Sequence, residues 1–253
     1  MDIRDKKNIV TLKDFAPEAF SKSLLENLHE AGFVNPMLFG GALRDNYLRE
    51  RVKGMKDVAT NDYDIYACLD AEKVLGSAST TQEATAKLIK YVQEKLSGEV
   101  QKRPNILEKD SFNACVSIDD KGKVSCGEVS FLYMGRKIEI KFDNGKDENL
   151  LLEQRIWGDA PLNTIAMDRS GNVIAHKDFE EHAQKRIFQP FKPDSWGEKT
   201  PRYRKLSKKI PGLMYINGRM ISRIRARIDS AIDTLPSIPE RATKILSRIV
   251  PNA

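Results

Sequence analysis

Residues 40–67 read GGALRDNYLRERVKGMKDVATNDYDIYA, and the fold turns on what joins the two ends of this stretch. The pair Gly40-Gly41 follows VNPMLF, a short apolar run with strand character, and opens ALRDNYLRER, which is helical in character. At the far end DYDIYACL alternates as a half-buried strand does. Strand residues at i and i+2 share a face, so Asp62 and Asp64 project together while Tyr63 and Ile65 point the other way. Two neighbouring carboxylates repel each other, and a cation between them relieves the repulsion. A hard ion such as Mg²⁺ takes oxygen ligands and combines one or two carboxylates with substrate phosphates. Alone, an Asp-x-Asp pair is weak evidence, because such surface pairs are common and a solvated strand edge is the commoner explanation.

The glycines sharpen the reading. Between a strand and a helix, residues without side chains let phosphate oxygens approach backbone N–H groups and the positive end of the helix dipole. The sequence here is neither a Walker A motif nor a GxGxxG, which excludes the P-loop and dinucleotide-binding readings. A third carboxylate comes from RKIEIKFD, where Ile138, Ile140 and Phe142 share one face and Glu139, Lys141 and Asp143 the other. If this strand lies beside the first, either Glu139 or Asp143 completes a cluster around two metal ions. Two such ions activate an attacking hydroxyl and stabilise the leaving oxygen of an in-line phosphoryl displacement.

The remaining chain supports a mixed α/β (α+β) sheet. APEAFSKSLLENLHEAGF is an expected amphipathic helix ending at Gly32, and TTQEATAKLIKYVQEKLSG another ending at Gly98. FNACVSI, KVSCGEVSFLYM and RKIEIKFD form a small meander of strands. LLLEQRIWGDAPLNTIAMD reads as two helical pieces broken near Gly158 and Pro161, followed by strand GNVIAHK, short helix DFEEHAQK and strand IFQP. The Pro-containing stretch at about 191–199 is an expected linker between a domain spanning residues 1–190 and a basic helical module spanning 200–253. In that module RYRKLSKKIPG precedes NGRMISRIRARIDSAIDTL, whose stripe of Met220, Ile221, Ile224, Ile228, Ile232 and Leu235 suits docking on the protein's own core.

Charge divides the chain in the same way. Of the net +6, the segment from Arg186 onward holds 15 Lys and Arg against 5 Asp and Glu, leaving the preceding residues at net −4. An acidic front with a basic extension suits a catalytic domain that meets a polyanion, although a basic solvated surface has the same composition. Cys68, Cys115 and Cys126 match no zinc spacing and are expected to be reduced core thiols, without disulfides, in a cytoplasmic protein. His29, His176 and His182 lack metal-site spacing or a nucleophile partner and are expected to be structural. No run approaches the roughly 18 apolar residues of a membrane span, and the first residues lack a secretory apolar region.

Gly40-Gly41-Ala-Leu-Arg44-Asp45 followed by Asp62-Tyr-Asp64-Ile resembles the head domain of the CCA-adding tRNA nucleotidyltransferase and bacterial poly(A) polymerase family, within the DNA polymerase beta-like nucleotidyltransferase superfamily. Gly-Asp159-Ala-Pro-Leu-Asn163-Thr-Ile-Ala-Met-Asp168, then Gly171-Asn-Val, Asp178-Phe and Arg186-Ile, resembles a second family region in the right order. The resemblance implies that Asp62 and Asp64, with Glu139 or Asp143, hold two catalytic Mg²⁺ ions. It implies that Gly40, Gly41 and Arg44 contact the incoming triphosphate, and that Asp159 and Asn163 help to hold the nucleotide. Arg202 and Arg204, in Pro201-Arg-Tyr-Arg-Lys, stand where the family's neck begins and are candidates to reach phosphate. Arg44 with Asp45 also fits a helix-surface ion pair, Asp159 a helix cap and Asn163 a buried amide.

The departures are specific. More residues separate Asp45 from Asp62 than in the compact family pattern, and Trp157-Gly158 replaces the arginines expected before Asp159. No counterpart of the base-selecting neck motif is present, so templated CCA synthesis is not expected. The function implied is transfer of a nucleoside monophosphate from an NTP to a hydroxyl acceptor with release of pyrophosphate. RNA, including a tRNA 3′ end, is the leading acceptor because of the basic C-terminal helices. Alternatives are a protein or small-molecule acceptor, or a non-catalytic nucleotide- or RNA-binding regulator. No RNP-like aromatic motif, KH loop or zinc knuckle is visible.

Overall fold

A computed structural model describes residues 6–60, 62–76, 78–100, 111–119, 121, 123–144, 158–191 and 201–216. The DYDIYACL segment is strand β3 (Asp62–Leu69), with Tyr63, Ile65 and Ala67 buried and Asp62, Asp64 and Tyr66 half-buried on the other side. It lies between β2 (Val34–Phe39), antiparallel to it, and β6 (Arg136–Asn144), parallel to it. The β2 register shifts between Val34 and Met37. Asn35 there has φ +46°, and Pro36 has no N–H to give the ladder, so the strand bulges.

The other strands are β1 (Ile9–Thr11), β4 (Asn113–Ile118), β5 (Val124–Tyr133), β7 (Ile165–Met167) and β8 (Val173–His176). Together they form one eight-stranded sheet in the order β1-β8-β7-β2-β3-β6-β5-β4. Among the described pairs of this sheet only β3–β6 is parallel, and the chain between them passes through helices and the β4–β5 hairpin before returning. One sheet face packs on α1 (Ala19–Glu30), α2 (Gly41–Arg51) and α4 (Thr81–Val100), through Leu25, Leu28, Leu43 and Leu88 against Tyr63, Ile65, Ile138 and Ile140. The opposite face carries Asp62, Asp64 and Glu139.

Several boundaries differ from the sequence reading. The residues after Asn163 form strand β7 and not helix. Ile165, Ala166 and Met167 are all buried between β2 and β8, and a short apolar run has no periodicity to separate strand from helix. Its first expected helical piece, residues 150–157, lies outside the described residues. Helix α4 runs two residues past Gly98. The five-residue α3 (Ala71–Leu75) was not foreseen; Asp70 caps it by accepting from the Lys73 N–H at 3.2 Å. Of the cysteines only Cys68 is buried, while Cys115 is exposed because β4 is an edge strand.

Helix α5 (Phe179–Lys185) leads through Arg186, in the left-handed conformation, to β9 (Ile187–Phe188). After residues 192–200, which are not described, α6 (Pro201–Lys209) and β10 (Met214–Tyr215) pack back on the same core: β10 pairs with β9, and Tyr203, Leu206, Ile210 and Leu213 join the main apolar cluster. The stripe from Met220 to Leu235 lies outside the described residues. No described helix is long and apolar enough to cross a membrane.

Candidate active site

The β3–β6 register decides which carboxylates meet. Asp64 pairs with Glu139, so these side chains stand next to each other on the open face, with Asp62 two residues along. Asp143 pairs with Cys68, four residues and about 13 Å further along the strand. Asp62, Asp64 and Glu139 line a cavity of about 490 Å³, and Asp143 does not.

Gly40 and Gly41 form one wall. Gly40 has φ +63° and ψ −112°, a conformation open to glycine, and caps α2 while its own N–H donates to Ile165 O at 2.9 Å. The Gly40 N–H is therefore already engaged within the protein, whereas the resemblance implies that both glycines contact the triphosphate. The N–H groups of the following turn belong to the set that a helix leaves without intrahelical partners.

Behind the glycines lies a polar chain. Arg44, 4% exposed, donates through Nε (2.9 Å) and Nη2 (2.6 Å) to Oδ1 of Asp45, itself 1% exposed. This is a buried pair, not one on the helix surface. Arg44 Nη1 also donates to Oδ1 of Asn163 at 2.5 Å, and Asn163 Nδ2 donates to Oδ1 of Asp159 at 2.5 Å. Arg44, Asp159 and Asn163 all line the cavity. Gly158 permits the arrangement, since a Cβ there would lie 2.6 Å from Asn163 O and 2.8 Å from its carbonyl carbon.

Helix α6 covers the cavity with one face. Arg202, Lys205, Leu206 and Lys209 line it, at helical spacing, and Arg204 lies outside the lining and is exposed. Arg202 Nε stands 3.4 Å from Asp159, Lys205 Nζ 4.0 Å from Asp62, and Lys209 bonds the buried carboxylate of Asp45. Sequence reasoning missed Lys205 and Lys209, although their i, i+3, i+7 relation to Arg202 was legible once Arg202 was chosen. It also did not assign Tyr66, which follows from Asp62 and Asp64 by the same period of two.

No protein-family model matches the chain, and no curated protein matches it. Among solved structures the chain is similar to the CCA-adding enzyme of Bacillus stearothermophilus in complex with CTP, at 20% identity and a TM-score of 0.32 over 67% of this chain. The match covers 32% of that enzyme, so the chain spans about a third of its length. A likeness this slight carries no argument about activity, and the chemistry rests on the geometry above.

Burial raises the pKa of Asp64, and the charges of Glu139 and then Asp62 add to the effect against the opposing charge of Lys141. For Glu139 burial also works upward, but Lys141, bonded at 2.9 Å, and Lys137, at 3.5 Å, overcome it and hold the carboxyl below its usual range. Asp64 therefore lacks compensation that Glu139 has, which a cation on the Asp62–Asp64 edge would supply. The oxygen donors of Asp62 and Asp64 fit a hard divalent ion. Among the described residues no group of three His, Cys, Asp or Glu side chains is gathered for a metal, consistent with Glu139 turning to its lysines. His176 and His182 have pKa values lowered chiefly by burial, which favours neutral rings. Neither lines the cavity.

Proposed function

We propose that the protein is a metal-dependent nucleotidyltransferase that moves a nucleoside monophosphate from an NTP to a hydroxyl acceptor, RNA being the acceptor class, and releases pyrophosphate. The observation that carries this reading is the face shared by Asp62, Asp64 and Glu139 across one cavity from the Gly40-Gly41 turn and the cationic face of α6. Asp62 and Asp64 would hold Mg²⁺, with Glu139 joining them if its lysines release it. A bound ion of this kind lowers the pKa of the acceptor hydroxyl and offsets phosphate charge. The chain's own groups do the rest. Gly40 and Gly41 leave room for phosphate against the start of α2, and Lys205 and Arg202 supply positive charge beside it. The chain of bonds from Arg44 through Asn163 to Asp159 holds that wall in one geometry before substrate arrives. The net +10 from Arg186 onward supports a polyanionic acceptor.

The test is incubation with each α-labelled NTP, Mg²⁺ and total RNA, with label followed separately into RNA and protein. Label in RNA that is lost in Asp62→Ala/Asp64→Ala supports the proposal. Label on protein alone overturns the RNA acceptor, and absence of transfer to any acceptor overturns the enzyme.

A further inference from the structure

Along β3 the cavity changes character, and the strand registers set the order. On antiparallel β2 Met37 pairs with Tyr66 and Phe39 with Asp64, so Gly40 and Gly41 continue toward the Asp62 end. Lys205 meets Asp62 at that same end. In the opposite direction, two residues and about 6.6 Å beyond Asp64 on the same face, stands Tyr66. It is half-buried and lines the cavity. The Phe39 ring meets it edge-on, with centroids 5.3 Å apart and planes at 89°. These two rings belong to a small apolar cluster with Met37 and Ala166, separate from the main core. On its other flank Lys141, its register partner, is tied to Glu139 and places its ammonium over the ring in a cation–π contact, 5.9 Å from the ring centre.

In-line displacement needs the acceptor hydroxyl and the leaving oxygen on opposite sides of the phosphorus. With the triphosphate against the glycines and Lys205, the acceptor approaches from the Tyr66 side. We propose that Tyr66, braced by Phe39, is a stacking platform for the terminal base of a single-stranded nucleic-acid acceptor. The inference rests on the nucleotidyl-transfer reading and narrows its acceptor to one that carries a base. An aromatic surface rewards a planar π partner, whereas a serine, threonine or sugar hydroxyl acceptor without a base gains little from it. Stacking of this kind is indifferent to base identity, in keeping with the lack of a recognisable base-reading motif.

The experiment is titration of the full chain into a trinucleotide ending in 2-aminopurine, in EDTA and without NTP, with fluorescence quenching as the readout. The variants are Tyr66→Phe, Tyr66→Leu and Tyr66→Ala, with circular dichroism to check their fold. The wild type and Tyr66→Phe are expected to quench the probe, and Tyr66→Leu, which keeps an apolar side chain without a π face, to bind it roughly 5- to 150-fold more weakly, as loss of one base–aromatic stack implies. Equal affinity in Tyr66→Leu, or no quenching by the wild type, overturns the platform. Neither metal nor NTP is present, so a failure of label transfer in the assay above is distinguishable from a failure here.

Discussion

Asp45 ties α2 to α6, and replacing it with asparagine tests whether that tie holds the cover of the cavity. Its carboxylate is 1% exposed and accepts from two Arg44 nitrogens, at 2.9 and 2.6 Å, and from Lys209. Asp45→Asn keeps the shape but leaves two cations facing a neutral amide. Breaking a buried pair costs about 3–5 kcal/mol. The lower end applies because Arg44 retains Oδ1 of Asn163 and the Lys209 side chain, 18% exposed, can turn to water. At roughly 2–4 °C per kcal/mol for a chain of this size, Tm should fall by about 6–12 °C. Lys209→Met alone should cost less, and the double variant should show a coupling of about 1 kcal/mol or more in urea denaturation. Amide exchange across residues 201–209 should quicken in Asp45→Asn, since the helix loses its anchor to α2. A Tm within about 2 °C of wild type, or additivity within about 0.5 kcal/mol, would refute the anchoring role.

Three further outcomes are expected. Asp64 has a folded pKa above its unfolded value, so the folded state binds the extra proton and stability falls as pH rises from the unfolded pKa through the folded one. Without metal at neutral pH, Asp64→Asn should therefore melt higher than the wild type in calorimetry. The gain should vanish near about pH 3, and a variant less stable than wild type at pH 7 would contradict the assignment. Mg²⁺ should raise the Tm of the wild type but not of Asp62→Asn/Asp64→Asn, read by calorimetry; equal shifts in both would remove the metal from these residues. Gly158→Ala and Gly41→Ala should separate folding from binding. The former drives a Cβ into the Asn163 backbone and should lose about 1–3 kcal/mol in denaturant titration. The latter meets only the tip of Arg44 at 3.8 Å, so it should keep its stability while weakening NTP binding, measured by calorimetric titration.

Much of the site was legible because its signals are short in range. Alternation in DYDIYACL put Asp62 and Asp64 on one face and Tyr63 and Ile65 in the core, and the same period separated Glu139 from Ile138 and Ile140. Local pattern failed where packing chose the element. Ile165–Met167 is a strand because β2 and β8 flank it, and α3 depends on a single Asp70 cap. Arg202 and Arg204 looked equivalent in sequence, yet Tyr203 and Ile210 bury the other side of α6 and rotate Arg202, Lys205 and Lys209 onto the cavity.

By itself the sequence determined that two carboxylates share a strand face and that a glycine turn opens the helix after the neighbouring strand, because residue periodicity and glycine's φ freedom act within a few positions. Only the tertiary structure decided that Glu139 and not Asp143 stands beside Asp64, that Gly40 spends its N–H on Ile165, and that α6 closes over the cavity. Those choices are set by strand register and by long-range burial, which a single chain read in order does not display.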